Sequence, residues 1–285
     1  MTLQASDTLV SREGVRLPKI IYGTAWKKER TAALVAQALR AGFRGIDTAC
    51  QPKHYHEPGV GEALATSLGK GLDRADIYLQ TKFTPIDGQD PARVPYDPKA
   101  PLAEQVRQSF ATSLKNLRTD YLDSLVLHSP LSNEPDLMDV WGAMETLFDT
   151  GGVKQLGISN CYRLDLLERL CQNARIKPAV LQNRFYADTG YDHDLRAFCD
   201  REGIIYQSFW TLTANPKILA HPWLRPIATR HGRTPEQTFF RYLTQIGIVP
   251  LTGTTSAAHM REDLAIFDFE LAGNELAAIT GLLQT

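Results

Sequence analysis

The chain is poor in cysteine, carries no surplus of charge of either sign and has no long apolar run. Its 4 cysteines, Cys50, Cys161, Cys171 and Cys199, are scattered without CxxC spacing. That pattern excludes a dense disulfide framework and favours reduced thiols that behave as small buried apolar groups. With 31 Lys and Arg against 32 Asp and Glu, no global field draws in nucleic acid or an anionic membrane surface. Nowhere do about 18 apolar residues stand together as a membrane span requires, and the opening "MTLQASDTLVSREGVRLPK" has no apolar stretch behind basic residues. A cytoplasmic protein, monomeric or weakly dimeric, that acts on a small molecule is the expectation.

What is present is repetition of pattern rather than of sequence. After a hairpin signal around "SREGVRL", strand-length apolar runs alternate with segments of helical period. The strand candidates are "KIIYGTA", "RGIDTA", "DIYLQTKF", "YLDSLVLH", "VKQLGIS", "AVLQNRF", "GIIYQSF" and "GIVPLTG", apolar enough to be covered on both faces. Between them, Leu137, Val140, Trp141, Met144, Leu147 and Phe148 share a helical face, and Thr234, Pro235 and Gln237 start a helix ahead of Phe239, Phe240, Leu243 and Ile246. Eight alternations in about 250 residues predict an α/β protein with a closed (β/α)8 (TIM) barrel, a single domain over 1–285. Two long connections stand out: the proline-rich segment "TPIDGQDPARVPYDPKAP" after the third strand, and the segment after the seventh, long enough for a short helix. Both would overhang the carboxyl end of the barrel, where barrel enzymes place substrates.

The carboxyl ends of strands two, three and four carry Asp47, Lys82 and His128. Any one alone is most simply a rim residue facing water, but a barrel converges three neighbouring strand ends on one cavity. Just beyond Asp47, His54, Tyr55 and His56 are consecutive. Read alone, they suit metal binding, proton transfer or mere loop decoration. The nearby "GVGEAL" lacks the third glycine of a dinucleotide fingerprint and is most simply a helix start.

From "YGTAW" to "FDFEL" the sequence resembles the aldo-keto reductase family, whose members are (β/α)8 barrels that reduce carbonyls with NADPH. The family's Asp-Thr-Ala, Tyr-Glu and Val-Gly-x-Ala-Leu pattern is met by "IDTACQPKHYHEPGVGEAL", with a longer spacer between Asp47 and Tyr55. Its Lys is met by Lys82, its His by His128, and its carboxamide-binding Ser, Asn and Gln by Ser159, Asn160 and Gln182. The resemblance places Phe209 against the nicotinamide, and Trp26, His56, Phe83 and Trp210 around the substrate. Strand eight runs into Gly253 and Thr254 ahead of a helix that begins near Ser256, a turn whose free amides suit a phosphate; one family pattern has Arg near His259, so the cations expected toward a 2′-phosphate are His259 itself and Arg261. Leu251 stands where one family pattern has Lys, and the chain stops at Thr285 without the long tail of many relatives, so a broadly accepting site is expected.

The chemistry is consistent with that resemblance. No side chain donates hydride, so carbonyl reduction needs a nicotinamide, NADPH or alternatively NADH. The alkoxide that develops needs a proton, and Tyr55 keeps one at neutral pH, with Lys82 expected to lower its pKa, Asp47 to orient Lys82, and His128 to polarise the carbonyl. Two other classes compete. One is a metal-dependent barrel hydrolase that uses His54 and His56; the other is a barrel that binds nicotinamide as an accessory without turnover.

Overall fold

The structure is a computed structural model that describes residues 7–69 and 71–283. The first six residues of the opening segment, Lys70 and the last two residues lie outside the described residues. A short antiparallel hairpin forms where expected, β1 (Thr8–Val10) pairing with β2 (Arg16–Pro18). Eight parallel strands follow: β3 (Ile21–Gly23), β4 (Gly45–Asp47), β5 (Tyr78–Phe83), β6 (Ser124–Leu127), β7 (Leu156–Ser159), β8 (Val180–Arg184), β9 (Ile205–Phe209) and β10 (Val249–Thr252). They pair in chain order, and β10 closes on β3 to complete the (β/α)8 barrel.

Helices cover the outside: α1 (Thr31–Ala41), α2 (Glu57–Ser67), α3 (Leu102–Leu117), α4 (Glu134–Asp149), α5 (Leu164–Asn173) and α6 (His193–Glu202). After β9 come the short α7 (Pro216–Leu219) and α8 (Leu224–Arg230), then α9 (Pro235–Gln245), α10 (Ala257–Leu264) and α11 (Gly273–Leu282). The expected apolar face of α4 is buried from Leu137 to Leu147, with Phe148 half-buried at its edge. Thr234 and Gln237 form a reciprocal capping box at the start of α9, where Pro235 supplies a ready-made helical φ. None of the described helices is long and apolar enough to cross a membrane. All four cysteines are buried and free.

The barrel lumen is apolar at its amino-terminal end and polar above. Val15 and Leu17 from the hairpin pack with Ile21, Tyr78, Val249 and Leu251 and so plug the lower end. Above them, Tyr78 donates to Gln80, Gln80 and Gln182 each donate to Gln207, and both also donate to Asp47. This stack of buried amides gives the functional end a hydrogen-bonded floor.

The helix that follows Tyr55 is set by close approach. At Gly61, within α2, an added Cβ would stand 2.1 Å from the Asn116 carbonyl oxygen and 2.9 Å from the Leu117 backbone of α3. Gly61→Ala should therefore lower the unfolding free energy by about 2 kcal/mol, read as an earlier urea midpoint, because backbone cannot yield as a side-chain tip can.

Candidate active site

A cavity of about 960 Å³ opens at the carboxyl ends of the strands, a size suited to small organic ligands. At its base, Lys82 on β5 and Asp47 on β4 are 1% and 2% exposed. The Lys82 ammonium donates to both Asp47 oxygens at 2.7 Å and to the Thr48 carbonyl at 2.8 Å. An ammonium has three protons, and these bonds use all three. Burial pulls Lys82 below the ordinary lysine range, while Asp47 pulls it back.

Tyr55 stands over this pair, half-buried, its ring 5.2 Å from the Lys82 nitrogen and edge-on to His128 at 5.9 Å. The longer spacer does not displace it. His54 and Tyr55 both donate backbone N–H groups to the Gln51 carbonyl, so the extra residues are taken up in a turn. Gln51 donates to the Gly88 carbonyl and Gln89 donates to the Cys50 carbonyl, which cross-braces this turn to the 84–101 connection. Below it, Glu57 accepts from Thr81, Ser113 and Asn116 and fixes the start of α2. One expectation fails: the Tyr55 phenol is pushed above its usual range, first by burial and then by the Asp47 carboxylate. Lys82 is closed on Asp47, and the carboxylate is the charge that acts on the phenol.

His128 follows β6, and its Nδ1 lies 2.6 Å from the hydroxyl of buried Thr84. Burial first, then the Lys82 and His54 charges, hold the imidazole well below its ordinary pKa, so it is neutral. In the neutral tautomer in which Thr84 donates to Nδ1, the proton is on Nε2 and is available to the cavity.

The opposite wall suits a carboxamide on a flat ring. Both Gln182 amide protons go to Asp47 and Gln207, which leaves its carbonyl oxygen as an acceptor. Ser159 accepts from Asn160 and keeps its hydroxyl proton to give. An acceptor and a donor side by side complement an amide, and Phe209 lines the same wall. At the other end, Gly253, Thr254 and His259 line the cavity, and Ser256 caps α10 by accepting from the His259 amide. Three of the non-glycine residues with left-handed backbone, Trp26, Asn160 and Trp210, border this cavity. Such strain persists only where the surroundings enforce it.

Three expected positions fall elsewhere. Phe83 is 1% exposed and packs against Tyr96 in the helical layer, because adjacent strand residues face opposite sides and Lys82 faces in. The His56 ring accepts from the Gly59 amide as the N-cap of α2, and of this adjacent pair it is His54, its ring tilted against Trp26 with centroids 4.0 Å apart, that lines the cavity. The two imidazoles thus part, and the hydrolase reading loses its ligand pair. Arg261 lies in a separate groove with Gln37 and Arg40. Sequence reasoning also passed over Thr84, Lys27 and Arg184. Lys27 is buried beside the Tyr22 ring and donates to the Gly253 carbonyl.

A phenol thus stands over a sealed ion pair and shares one cavity with an amide acceptor and a hydroxyl donor. The chain belongs to the aldo/keto reductase family, whose profile it matches over residues 19–215, a family of NAD(P)H-dependent carbonyl oxidoreductases. It is 30% identical over 283 residues to the uncharacterized oxidoreductase YtbE of Bacillus subtilis, covering 98% of this chain and 93% of that protein. An aldo/keto reductase from Brucella melitensis superposes with a TM-score of 0.82 at 32% identity, over 96% of this chain and 98% of that one. The aldose reductase of Schistosoma japonicum gives 0.84 at 28%, over 98% and 92%.

Thr84→Val keeps the shape and removes the hydroxyl. A net hydrogen bond of about 1–1.5 kcal/mol implies a roughly tenfold drop in kcat for carbonyl reduction. Thr84→Ser should retain most activity, and ¹⁵N NMR of His128 should show the Nε2–H tautomer only when the hydroxyl is present.

Proposed function

We propose that the protein reduces a small aldehyde or ketone to an alcohol, with NADPH as the preferred donor and NADH tolerated. The observation that carries this reading is Tyr55 set 5.2 Å above the Lys82 ammonium, which is itself locked by Asp47. A reduced nicotinamide held by Ser159, Asn160, Gln182 and Phe209 supplies the hydride. Tyr55 gives its proton to the developing alkoxide, a stronger base than a phenolate, so the raised phenol pKa still leaves the transfer downhill. His128, neutral and protonated on Nε2, donates to the carbonyl oxygen and fixes its approach. Lys82 and Asp47 hold a fixed dipole beneath the phenol and keep its orientation.

For the cofactor tail, Lys27, the Gly253–Thr254 turn and the amides at the start of α10 suit phosphate. His259 is the basic group left for a 2′-phosphate, since Arg261 lies outside the cavity. Glu262 and Asp263 line the same end, and burial raises Asp263 to about 6. This mixture of charge supports only a weak preference.

Tyr55→Phe should lower the rate of aldehyde reduction by about 10²–10⁴-fold while the Kd for NADPH, read by fluorescence quenching, stays within about twofold. If His54→Ala were the inactivating change instead, the donor assignment would be wrong. With the phenol shifted up and the imidazole shifted down, neither titrates between about pH 6.5 and 10. The kcat/KM profile for reduction should show no limb from either group there, and lose activity only at lower pH as His128 protonates. NADPH should bind no more than about tenfold tighter than NADH, and His259→Ala should erase the difference.

A further inference from the structure

Arg184 is the last residue of β8, two positions beyond Gln182 and therefore on the same inward face, about 6.6 Å further toward solvent. Its side chain lines the cavity, and its Cα is paired with that of Phe209. The guanidinium lies over the Trp210 ring at 4.3 Å and the Tyr186 ring at 5.2 Å. No carboxylate pairs with it among the described residues, and its Nε is buried with no hydrogen-bond partner. Of the other cations here, Lys82 is closed on Asp47, and Lys27 donates to the Gly253 carbonyl at the Gly253–Thr254 end of the cavity.

Hydrogen bonds tie together the backbone segments around this unpaired group. Tyr162 accepts from the Arg184 backbone N–H and donates to Asn160, tying the strand end to the carboxamide wall. Trp210 is 48% exposed in a left-handed conformation. Its carbonyl accepts from Ala214, and Asn215 donates to the Phe185 and Thr211 carbonyls across the same turn. Two aromatic faces orient a guanidinium without using its N–H groups. A fixed planar fork with free donors is suited to two oxygens of one anion, and partly buried unpaired donors are costly without one.

We propose that Arg184 is a receptor for an oxyanion, a carboxylate or phosphate oxygen pair on a ligand of this cavity. The inference rests on the reductase reading. Two sources offer that chemistry: an acidic carbonyl substrate and the diphosphate of the cofactor. Arg184→Met keeps the bulk between the rings and removes the fork, while Arg184→Lys keeps the charge alone. The wild type and both variants are compared by NADPH Kd, by KM for 4-carboxybenzaldehyde and its uncharged methyl ester, and by calorimetric binding of benzoate and of inorganic pyrophosphate.

An acidic substrate predicts a KM about tenfold higher or more for the carboxylated aldehyde in Arg184→Met, with the ester unchanged and benzoate binding lost. A cofactor diphosphate predicts the same factor in NADPH Kd, pyrophosphate binding lost and the two aldehydes affected alike. The lysine variant should be intermediate in either case. If every one of these constants stays within about twofold of wild type, the inference is overturned and Arg184 only fills the gap between the rings. Absence of turnover with either aldehyde, together with weakened benzoate or pyrophosphate binding in Arg184→Met, would sink the reductase reading and leave the anion receptor standing.

Discussion

The ion pair between Lys82 and Asp47 is the constraint around which the rest is arranged. Two opposite charges sealed in a barrel are affordable only if every proton and lone pair finds a partner, and breaking such a pair costs about 3–5 kcal/mol. The lumen meets that demand. Gln80 and Gln182 reach Asp47 from two strands, and the Thr48 carbonyl takes the third ammonium proton. Gln182 is thereby fixed by its amide protons with its oxygen left as an acceptor, so the network that solvates the ion pair also shapes one wall of the cavity. Stability and chemistry are served by the same hydrogen bonds.

Burial is the first cause of both shifts above the pair: the phenol goes up and the imidazole down, with the Asp47 carboxylate adding to the first and the Lys82 ammonium, then His54, to the second. Both groups are held in their uncharged forms. The strained backbone at Trp26, Asn160 and Trp210 belongs to the same design. These residues border the opening, and the folded barrel bears the cost of their backbone.

Much of this was legible because a barrel has simple rules. Eight apolar runs gave eight strands, and polar groups at their ends gave Asp47, Lys82 and His128. The failures have equally simple causes. Lys82 and Phe83 are neighbours on one strand, so only one can face the cavity, and the same parity that excludes Phe83 admits Thr84 and, on β8, Arg184 beside Gln182. Residues within loops and helix starts follow no such parity. His56 precedes Glu57 and Pro58, a helix-start signal that explains its cap, while Arg261 lies two residues past His259 on a helix and so faces another way. The shift of the Tyr55 pKa was not legible at all, because it depends first on how deeply the phenol is buried and then on its nearness to the Asp47 carboxylate, matters of packing and distance rather than of residue types.

The paired glutamines Gln51 and Gln89 join the turn that carries Tyr55 to the segment that overhangs the mouth. These two stretches are far apart in sequence yet form one mechanical part. An exchange of the overhanging segment with that of a relative, made to alter the choice of substrate, would carry half of this brace and leave the other half behind. The two segments are a single cassette, and a change of specificity has to inherit both.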